Sequence, residues 1–477
     1  MISLPSILGQ SNDAPYGRDR QTRRAHLVGI AGAGMRSLAD VLLAAGWQIS
    51  GSDPNCDAEV ESRFPVTRSH QATSIDSALD LVVHSEAVPA KNPELTRAKK
   101  LGLPTFNYPQ MLGRLMDSRS GVAIAGTHGK STTTLMAAQI LVTAGMDPTV
   151  VAGAVPIAAS SGGRLGRSRW MLAEACEFRS NFRFLKPQIA AVLGIEPDHF
   201  DCFRSAAELE QAFADFVQGV DSDGLVVARA ECAATQRVMK RLGCVSESFG
   251  LNSTATWQAT SLRDRGGFYS FQVRCRERLV CDVKLPVAGR HNVLNALAAA
   301  AVASHCGATG SMIRVGLEHF PGIKRRLELV SNAGGIAILD DYAHHSTEVR
   351  ATLNAVRQMY PARRVCCVFQ PHQASRVKNL LDEFAHSLQN ADEVVVAKIV
   401  RAREPAARAG EVTAADLARR AAELGAKVVQ LDEAPEIEHY LRNSLRPSDV
   451  LVTMGAGDIG NIAHELGQGI RSFRQAG

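Results

Sequence analysis

Short apolar runs alternate with longer amphipathic segments along most of the chain. Nine runs have the length of β-strands, and the segments between them repeat apolar residues at helical spacing, as in Ser37–Ala45, Thr132–Ala144 and Ser346–Met359. This order predicts parallel sheets covered by helices, which is an α/β fold. The predicted strands are His26–Ile30, Leu81–His84, Val122–Ala125, Ile189–Leu193, Leu225–Ala228, Ile336–Leu339, Val365–Phe369, Val394–Ala397 and Val450–Met454.

One segment and two breaks depart from this alternation. Apolar and polar side chains alternate strictly in Gly266–Leu285, which predicts an antiparallel hairpin in the middle of the chain. Polar residues follow a helix end in Leu112–Ser120, and proline and glycine interrupt a helix in Phe320–Leu327. The predicted division is a flexible polar arm at 1–22, followed by three α/β units at 23–117, 118–324 and 325–477.

Composition narrows the classes of function. The 477 residues are 45% hydrophobic and 21% charged, as is typical of a folded globular protein. A net charge of +5 is too small over this length to indicate a nucleic-acid surface. No run of about 18 apolar residues predicts a membrane span. Ten cysteines without a C-x-x-C pattern favour free thiols in a reducing cytoplasm.

A glycine-containing loop joins the predicted strand at Val122–Ala125 to the predicted helix at Thr132–Ala144. In a phosphate-binding loop, backbone N–H groups surround phosphate oxygens, a lysine reaches the outer phosphates and a hydroxyl binds Mg²⁺. The match is partial, because Ile124 stands where the full pattern has a further glycine, so an ordinary strand–helix turn stays open. The loop residues are Gly126, Thr127, His128, Gly129, Lys130, Ser131 and Thr132.

Two later strand ends carry carboxylates and a histidine. Parallel sheets bind ligands at the carboxyl ends of their strands, and a nucleotide-dependent enzyme holds magnesium there through acidic or imidazole groups. For either segment alone, an acidic surface turn is the alternative. The residues are Glu174 and Glu177 in LAEACEF, and Glu196, Asp198, His199 and Asp201 in GIEPDHFD.

The first unit begins with a strand, a glycine-rich turn, a helix and a second strand. The turn reads Gly29-x-x-Gly32-x-Gly34, and Asp53 follows 19 residues after Gly34, where an acidic side chain can meet a ribose hydroxyl. This pattern predicts a nucleotide site but does not identify the nucleotide. Tight packing of the helix on the strand, or the cofactor site of an NAD-dependent oxidoreductase, would give the same pattern.

Three further segments are too polar for a simple scaffold. Asn292 and Asn295 are three residues apart on one helix face, so they either hold a base or ribose together or serve as an N-cap and a surface amide. His345 and Glu348 have helical spacing, which suits either a metal site or polar helix caps. The segments are GRHNVLNALAA, with Arg290 and His291; DDYAHHSTEV, with Asp340, Asp341, Tyr342 and His344; and FQPHQASR, with His372 and Arg376.

In combination and order, these motifs resemble the Mur ligase family over about residues 24–465. The resemblance implies an α/β fold of three domains: a Rossmann-like N-terminal domain for a UDP-sugar, a central P-loop ATPase-type domain with a small antiparallel addition, and a Rossmann-like C-terminal domain for an amino acid. It implies a ligase that uses ATP to join L-alanine to the lactyl carboxylate of UDP-N-acetylmuramate through an acyl phosphate. The segments that carry it are HLVGIAGAGM, GTHGKSTTT, IEPDHFD, GRHNVLNALAA, KRRLE, DDYAHHSTEV, FQPHQASR and VTMGAGDI.

The resemblance also implies roles for single residues. The implied catalytic residues are Lys130, His199, His344 and Arg376. The implied ATP contacts are the loop residues with Asn292, Asn295, Arg326 and Asp341, and the implied Mg²⁺ ligands are Ser131, Glu174 and His199. The implied substrate contacts are Gly32, Gly34, Asp53 and Ser85 for the UDP-sugar, and His344, His372 and Arg376 for the amino acid. The protein would be a monomer or homodimer without nucleic-acid or membrane partners.

Five positions differ from the family pattern: Ser131, where threonine is more usual, Cys176 and Arg179 in the acidic motif, Ser346 and Gln373. The segment after His199, DCFRSAAELEQAFADF, contains no lysine. Sister ligases use a modified lysine in this domain, so its absence fits the alanine-adding branch. A recycling ligase that adds a peptide, a non-catalytic nucleotide-binding module, and serine or glycine in place of alanine stay open as alternatives.

Overall fold

The computed structural model describes residues 22–475, except 242, 253, 408 and 409. Within these residues the chain forms three separate β-sheets with helices packed on their faces. Most strand pairs are parallel, so the predicted α/β class is confirmed. The ends of the three units stay a prediction, and the predicted arm at 1–22 lies outside the described residues except for its last residue.

The first sheet is built from five short parallel strands. Its order is β3-β2-β1-β4-β5 for β1 (Arg24–Val28), β2 (Gln48–Ser52), β3 (Val66–Thr67), β4 (Leu81–His84) and β5 (Thr105–Asn107). Gly29 ends β1 two residues earlier than predicted: its φ is +82°, and a Cβ there would lie 2.9 Å from Ser85 Cβ, so only glycine fits. The helices are α1 (Ala33–Ala44), α2 (Ala58–Arg63), α3 (Pro93–Lys100) and α4 (Tyr108–Met116), with a 3₁₀ turn at Ala72–Ser74.

The second sheet has ten strands and provides the phosphate loop. The strands are β6 (Ser120–Ala125), β7 (Thr149–Val151), β8 (Gly163–Arg164), β9 (Trp170–Ala175), β10 (Ile189–Val192), β11 (Leu225–Arg229), β12 (Val245–Gly250), β13 (Trp257–Arg265), β14 (Phe268–Cys275) and β15 (Arg278–Ala288). Their order is β15-β14-β13-β12-β11-β10-β6-β9-β7-β8. The predicted hairpin is confirmed as the antiparallel pair β14–β15, and β13 extends it by a strand that the sequence pattern had not indicated.

Helices on this sheet complete the central core. They are α5 (Lys130–Thr143), α6 (Ala206–Gln218), α7 (Ala233–Met239), α8 (Arg290–His305) and α9 (Gly310–Glu318), with a 3₁₀ segment at Phe178–Phe184. Helix α8 is apolar on all sides, and every residue from Ala296 to Ala303 is inaccessible to solvent. This burial fixes the start of α8 beside the start of α5, which brings the two polar asparagines to the phosphate loop.

The third sheet has six strands, of which only the first is antiparallel. The strands are β16 (Glu328–Ala333), β17 (Ile336–Asp341), β18 (Val365–Phe369), β19 (Glu393–Val396), β20 (Val428–Gln430) and β21 (Val450–Met454), in the order β16-β17-β21-β18-β19-β20. The helices are α10 (Ser346–Met359), α11 (Ala374–Asn379), α12 (Leu381–Leu388), α13 (Ala414–Glu423), α14 (Ala434–Ser444) and α15 (Gly460–Gln475). The carboxyl ends of β17 and β18, which flank β21, bring the two histidine-containing segments within contact distance of each other.

Two further features bear on the sequence-based exclusions. Among the described residues, no helix is both long and apolar enough to cross a bilayer. All ten cysteines lie in the described part of the chain, and each is a free thiol.

Candidate active site

The loop between β6 and α5 is shaped by two glycines. Gly126 and Gly129 have φ values of +137° and +82°. Thr127 N–H donates to the Gly194 carbonyl over 2.9 Å, which fixes the loop against the end of β10. Since α5 begins at Lys130, the loop presents a helix N-terminus to the cleft, as a phosphate-binding loop requires.

Lys130 is held at the floor of this loop by a buried carboxylate. Its Nζ donates to the Gly126 carbonyl over 2.6 Å and to Glu177 Oε2 over 2.9 Å. Burial lowers the pKa of Lys130, but its neighbours, Glu177 foremost and also Cys176 and Glu174, together raise it by more, so the net pKa lies above the usual value. His199 Nε2 lies 3.4 Å from Glu177 Oε1. The arrangement therefore keeps a charged ammonium beside the loop.

The three implied Mg²⁺ ligands line one cavity with Lys130. Glu174 accepts a hydrogen bond from the Gly153 N–H, and burial raises the pKa of its carboxyl although the Ser131 hydroxyl hydrogen-bonds to it. His199 has a φ of +53°, and its buried Nδ1 has no hydrogen-bond partner among the described residues. A hydroxyl, a carboxylate and an unpaired ring nitrogen suit a divalent cation, so the residues fit the group that the resemblance implies.

All three units border this cavity, which measures about 830 Å³. The first unit contributes Ala31 and Arg36, the central unit contributes the phosphate loop, and the third contributes Tyr342 and His344. The volume lies in the range of small-molecule binding sites. A ligand in it would touch the phosphate loop and both flanking units at once.

A second cavity of about 150 Å³ shares Gly129 of the loop with the large one. Asn295 Nδ2 donates to Asn292 Oδ1 over 3.0 Å, and Asn292 Nδ2 donates to the Ala288 carbonyl over 2.7 Å, so the amides are oriented by each other and by the backbone. Burial raises the pKa of Asp341 to about 6. Seven residues of the implied ATP set line this cavity: His128, Gly129, Thr132, Asn292, Asn295, Arg326 and Asp341.

The implied amino-acid residues of the third unit lie together, but only His344 among them lines the large cavity. The His344 and His372 rings are 5.8 Å apart. Burial lowers the pKa of His344 to about 4 and that of His372 to about 3, so both rings are neutral at neutral pH. Arg376 is 2% exposed, and its Nε donates to Asp198 Oδ1 of the central unit over 2.8 Å. The arginine therefore joins the two units as well as facing the histidines.

Of the two alternatives for His345 and Glu348, the structure shows the helix cap. His345 is the N-cap of α10, and Glu348 accepts from the backbone N–H groups of His344 and His345 over 3.1 and 3.3 Å. Both His345 ring nitrogens have partners, since Nδ1 accepts from Thr347 N–H and Nε2 donates to the Pro197 carbonyl.

Two of the implied UDP-sugar residues of the first unit, Asp53 and Gly34, contact other residues of that unit. Asp53 Oδ2 accepts from the Ala31 N–H over 3.0 Å, and a Cβ at Gly34 would lie 2.7 Å from the Tyr108 hydroxyl. Within the described residues, the cavity wall includes Ala31 and its neighbours but none of the implied set, namely Gly32, Gly34, Asp53 and Ser85. Their contact with substrate stays a prediction.

Gly129 provides a direct test of the loop. A Cβ at this position would lie 2.4 Å from Asn295 Oδ1, and the backbone is left-handed, so we expect Gly129→Ala to weaken binding of a non-hydrolysable ATP analogue by roughly tenfold or more. Isothermal titration calorimetry measures the dissociation constant of the analogue. Gly145→Ala at the other end of α5 is the matched control, because it has a φ of +72° and nothing within 4 Å. Equal loss in both variants would contradict the assignment.

Comparison with known proteins decides the family. The Mur ligase family catalytic-domain model matches residues 24–120, the Mur ligase middle-domain model matches 124–303, and the Mur ligase glutamate ligase-domain model matches 325–457. A UDP-N-acetylmuramate–L-alanine ligase of Acetivibrio thermocellus is 38% identical over 92% of this chain and 94% of its own length. The chain belongs to the Mur ligase family.

Other relatives of this Mur ligase carry related names. A UDP-N-acetylmuramate–L-alanine ligase of Caldanaerobacter subterraneus is 36% identical over 94% of the chain and 96% of its own length. The crystal structure of a UDP-N-acetylmuramate–alanine ligase from Thermotoga maritima has a TM-score of 0.80 and 26% identity, covering 94% of this chain and 99% of that one. A murein peptide ligase from Psychrobacter arcticus shares the fold, with a TM-score of 0.72, 24% identity and coverage of 94% and 98%.

Three residues of this Mur ligase site have partners that the sequence did not predict. Glu177 pairs with Lys130, Asp198 pairs with Arg376, and Glu348 contacts the phosphate loop. Each stood in a motif that the sequence had marked, but nothing in the motif indicated its partner. Their signal was an acidic side chain directly after a buried strand or at the first turn of a helix.

The family departures differ in their relation to the cavity. Cys176 lies in its wall, directly after β9. Arg179 turns away, with its guanidinium 5.2 Å from the centre of the Phe178 ring. Gln373 is 1% exposed and begins α11 with a φ of +67°. Cys176 and Ser131 are therefore departures that border the space available to a ligand.

Proposed function

We propose that this Mur ligase uses ATP to join L-alanine to the lactyl carboxylate of UDP-N-acetylmuramate, as a step in peptidoglycan precursor synthesis. The observation that carries the proposal is the position of Lys130. It stands at the phosphate loop in a cavity that all three units border, as a reaction of a nucleotide, a sugar acid and an amino acid requires. The names of relatives at 38% and 36% identity support the same substrates.

The proposed chemistry has two steps. The lactyl carboxylate attacks the γ-phosphorus, the bond to the ADP oxygen breaks, and an acyl phosphate forms. The amine of L-alanine then attacks the acyl carbon, phosphate leaves, and the nitrogen gives up a proton as the amide forms. Phosphoryl transfer depends chiefly on positioning and on neutralising charge, and the loop N–H groups with Lys130 supply both.

The third unit would orient the amine. His344 Nδ1 donates to the Tyr342 carbonyl over 3.0 Å, which leaves Nε2 as an acceptor on a neutral ring. Arg376 Nη1 donates to the His372 carbonyl, and neither residue lines the large cavity, so an amino-acid carboxylate would have to reach past His344 to meet the guanidinium. Water would hydrolyse an acyl phosphate, and closure of three units around one cavity is the means by which this chain would exclude it.

The remaining parts of the proposal concern the metal and the setting. We infer that Ser131, Glu174 and His199 hold Mg²⁺, which would neutralise phosphate charge when bound. Ten free thiols support a reducing cytoplasm as the location. A monomer or homodimer without nucleic-acid partners stays our proposal for the assembly.

Release of ADP with different acceptors tests the proposed function. We expect kcat/KM with UDP-N-acetylmuramate and L-alanine to exceed the values with L-serine, glycine and the tripeptide L-alanyl-γ-D-glutamyl-meso-diaminopimelate, and mass spectrometry to show one added alanine. Faster turnover with the tripeptide would identify a recycling ligase. ATP binding without ADP release under every combination would identify a nucleotide-binding module, and NADH titration tests the oxidoreductase alternative.

A further inference from the structure

The central and third units meet along a polar seam at the edge of both cavities. We define this seam as residues 196–198 of the central unit with the start of α10 and Arg376. Thr347 Oγ1 donates to Glu196 Oε2 over 2.7 Å, and Arg376 Nε donates to Asp198 Oδ1 over 2.8 Å. The seam therefore joins the two units through side chains that also surround the site.

Glu348 stands at the centre of the seam. Its Oε1 lies 3.1 Å from His128 Nδ1 of the phosphate loop, while its Oε2 accepts from the backbone N–H groups of His344 and His345. The side chain is 13% exposed and lines both cavities. The Glu348 carboxylate thus contacts the phosphate loop with one oxygen and the backbone of His344 and His345 with the other.

His128 is enclosed by two carboxylates. Its Nε2 lies 3.5 Å from Glu196 Oε2, opposite the contact with Glu348. The other titratable or charged groups around it are the His345 ring, with centroids 4.7 Å apart; Arg326, whose guanidinium lies 4.0 Å from Glu348; and His291 at the start of α8. Burial lowers the pKa of His128, but Glu196 and Glu348 raise it to about 9.

We propose that Glu348 is a positioning residue that couples the nucleotide loop to the amino-acid side of the site by pairing with His128. The proposal rests on the proposed ligase function. A carboxylate fixed by two backbone N–H groups has little freedom to move, so the imidazolium that pairs with it fixes the loop relative to α10. The pair is made in the arrangement seen in the structure, and separation of the central and third units would break it.

The pairing gives the seam a defined dependence on pH. An unperturbed histidine has a pKa near 6.5, and the contacts of His128 with Glu196 and Glu348 raise its pKa above that value. Because this pKa is raised, the His128–Glu348 pair stabilises the contact between the two units fully below about pH 6.5. This stabilisation is lost as the pH rises towards 9. We therefore expect the central and third units to hold ATP less tightly between them as the pH rises from about 6.5 to 9.

The test measures kcat/KM for ATP from pH 6.5 to 9 with both other substrates saturating. We expect a fall of roughly tenfold or more in the wild type. Glu348→Gln keeps an acceptor oxygen but loses the charge, so its fall should be smaller, because Glu196 alone then raises the pKa of His128. His128→Gln removes the titrating group, so Glu348→Gln added to it should leave the pH slope unchanged. Glu210→Gln, at an exposed ion pair with Arg237, is the control.

The outcomes separate this proposal from the proposed function. A slope in Glu348→Gln parallel to the wild type, or a change of slope that persists with His128→Gln, would overturn the coupling while the ligase reaction stands. If the wild type releases no ADP with any acceptor, the function fails, and the same variants then test the coupling by the pH dependence of ATP-analogue binding. Thermal melts of each variant show whether it is folded.

Discussion

Replacing Lys130 by methionine is expected to lower kcat by roughly 10²–10³-fold, with UDP-N-acetylmuramate and L-alanine saturating. The ammonium stands at the phosphate loop, and methionine keeps the apolar stem while it removes the charge that would face the transferred phosphoryl group. Steady-state ADP release gives the rate. Near-normal turnover would contradict the assignment of this loop.

The matched control for Lys130→Met is a double variant. Glu177 is 1% exposed, so removal of its partner leaves a buried carboxylate with only His199 beside it. Breaking such a pair costs about 3–5 kcal/mol of stability, and neutralising both members restores much of it. Lys130→Met with Glu177→Gln should therefore recover the melting temperature but not kcat.

Replacing Arg376 by methionine is expected to lower kcat/KM for L-alanine by about 30-fold or more. Arg376 and Asp198 are 2% and 7% exposed, so truncation of the arginine removes a cation beside His372 and leaves a buried carboxylate unpaired. Truncating one partner of a buried charge pair costs about 2–5 kcal/mol, which converts to at least 30-fold in an equilibrium constant. The KM for L-alanine should rise more than the KM for ATP.

Two comparisons make this result specific. Arg420→Met breaks an exposed ion pair with Asp382 and should change kcat/KM by less than about twofold. Asp198→Asn combined with Arg376→Met removes both buried charges, so it should regain stability without regaining affinity for the amino acid. If the double variant recovers both, Arg376 serves only to hold the two units together.

The elements that the sequence predicted best are those specified by nearby residues. Val365–Phe369 and Val450–Met454 form strands over the predicted residues, because unbroken apolar runs must be buried on both faces of a parallel sheet. Ser346–Met359 is a helix over its predicted length, since its N-cap and the carboxylate that completes the cap are local. Helix α1 begins four residues before the predicted Ser37, as its N-cap, Gly32, offers no side-chain signal.

The sequence also predicted where the candidate site residues lie in the central sheet. A loop between a buried strand and a helix must lie at the carboxyl edge of the sheet, so the phosphate loop and the acidic segments were expected at one edge, and they are found there. The first unit shows the limit of that reasoning. A glycine-rich turn satisfies close packing as well as ligand binding, and the contact of Asp53 with the Ala31 N–H shows how a motif residue can serve the backbone.

What the sequence determined by itself was the α/β class, the order of the three units and the residue types at the strand ends. Only the tertiary structure decided the pairs that give those residues their charge states. Lys130 meets Glu177 across 47 residues, and His128 meets Glu348 across 220. Secondary structure follows from neighbours along the chain. Such pairs follow instead from how buried sheets and helices pack, and the spacing of residues along the chain does not predict that packing.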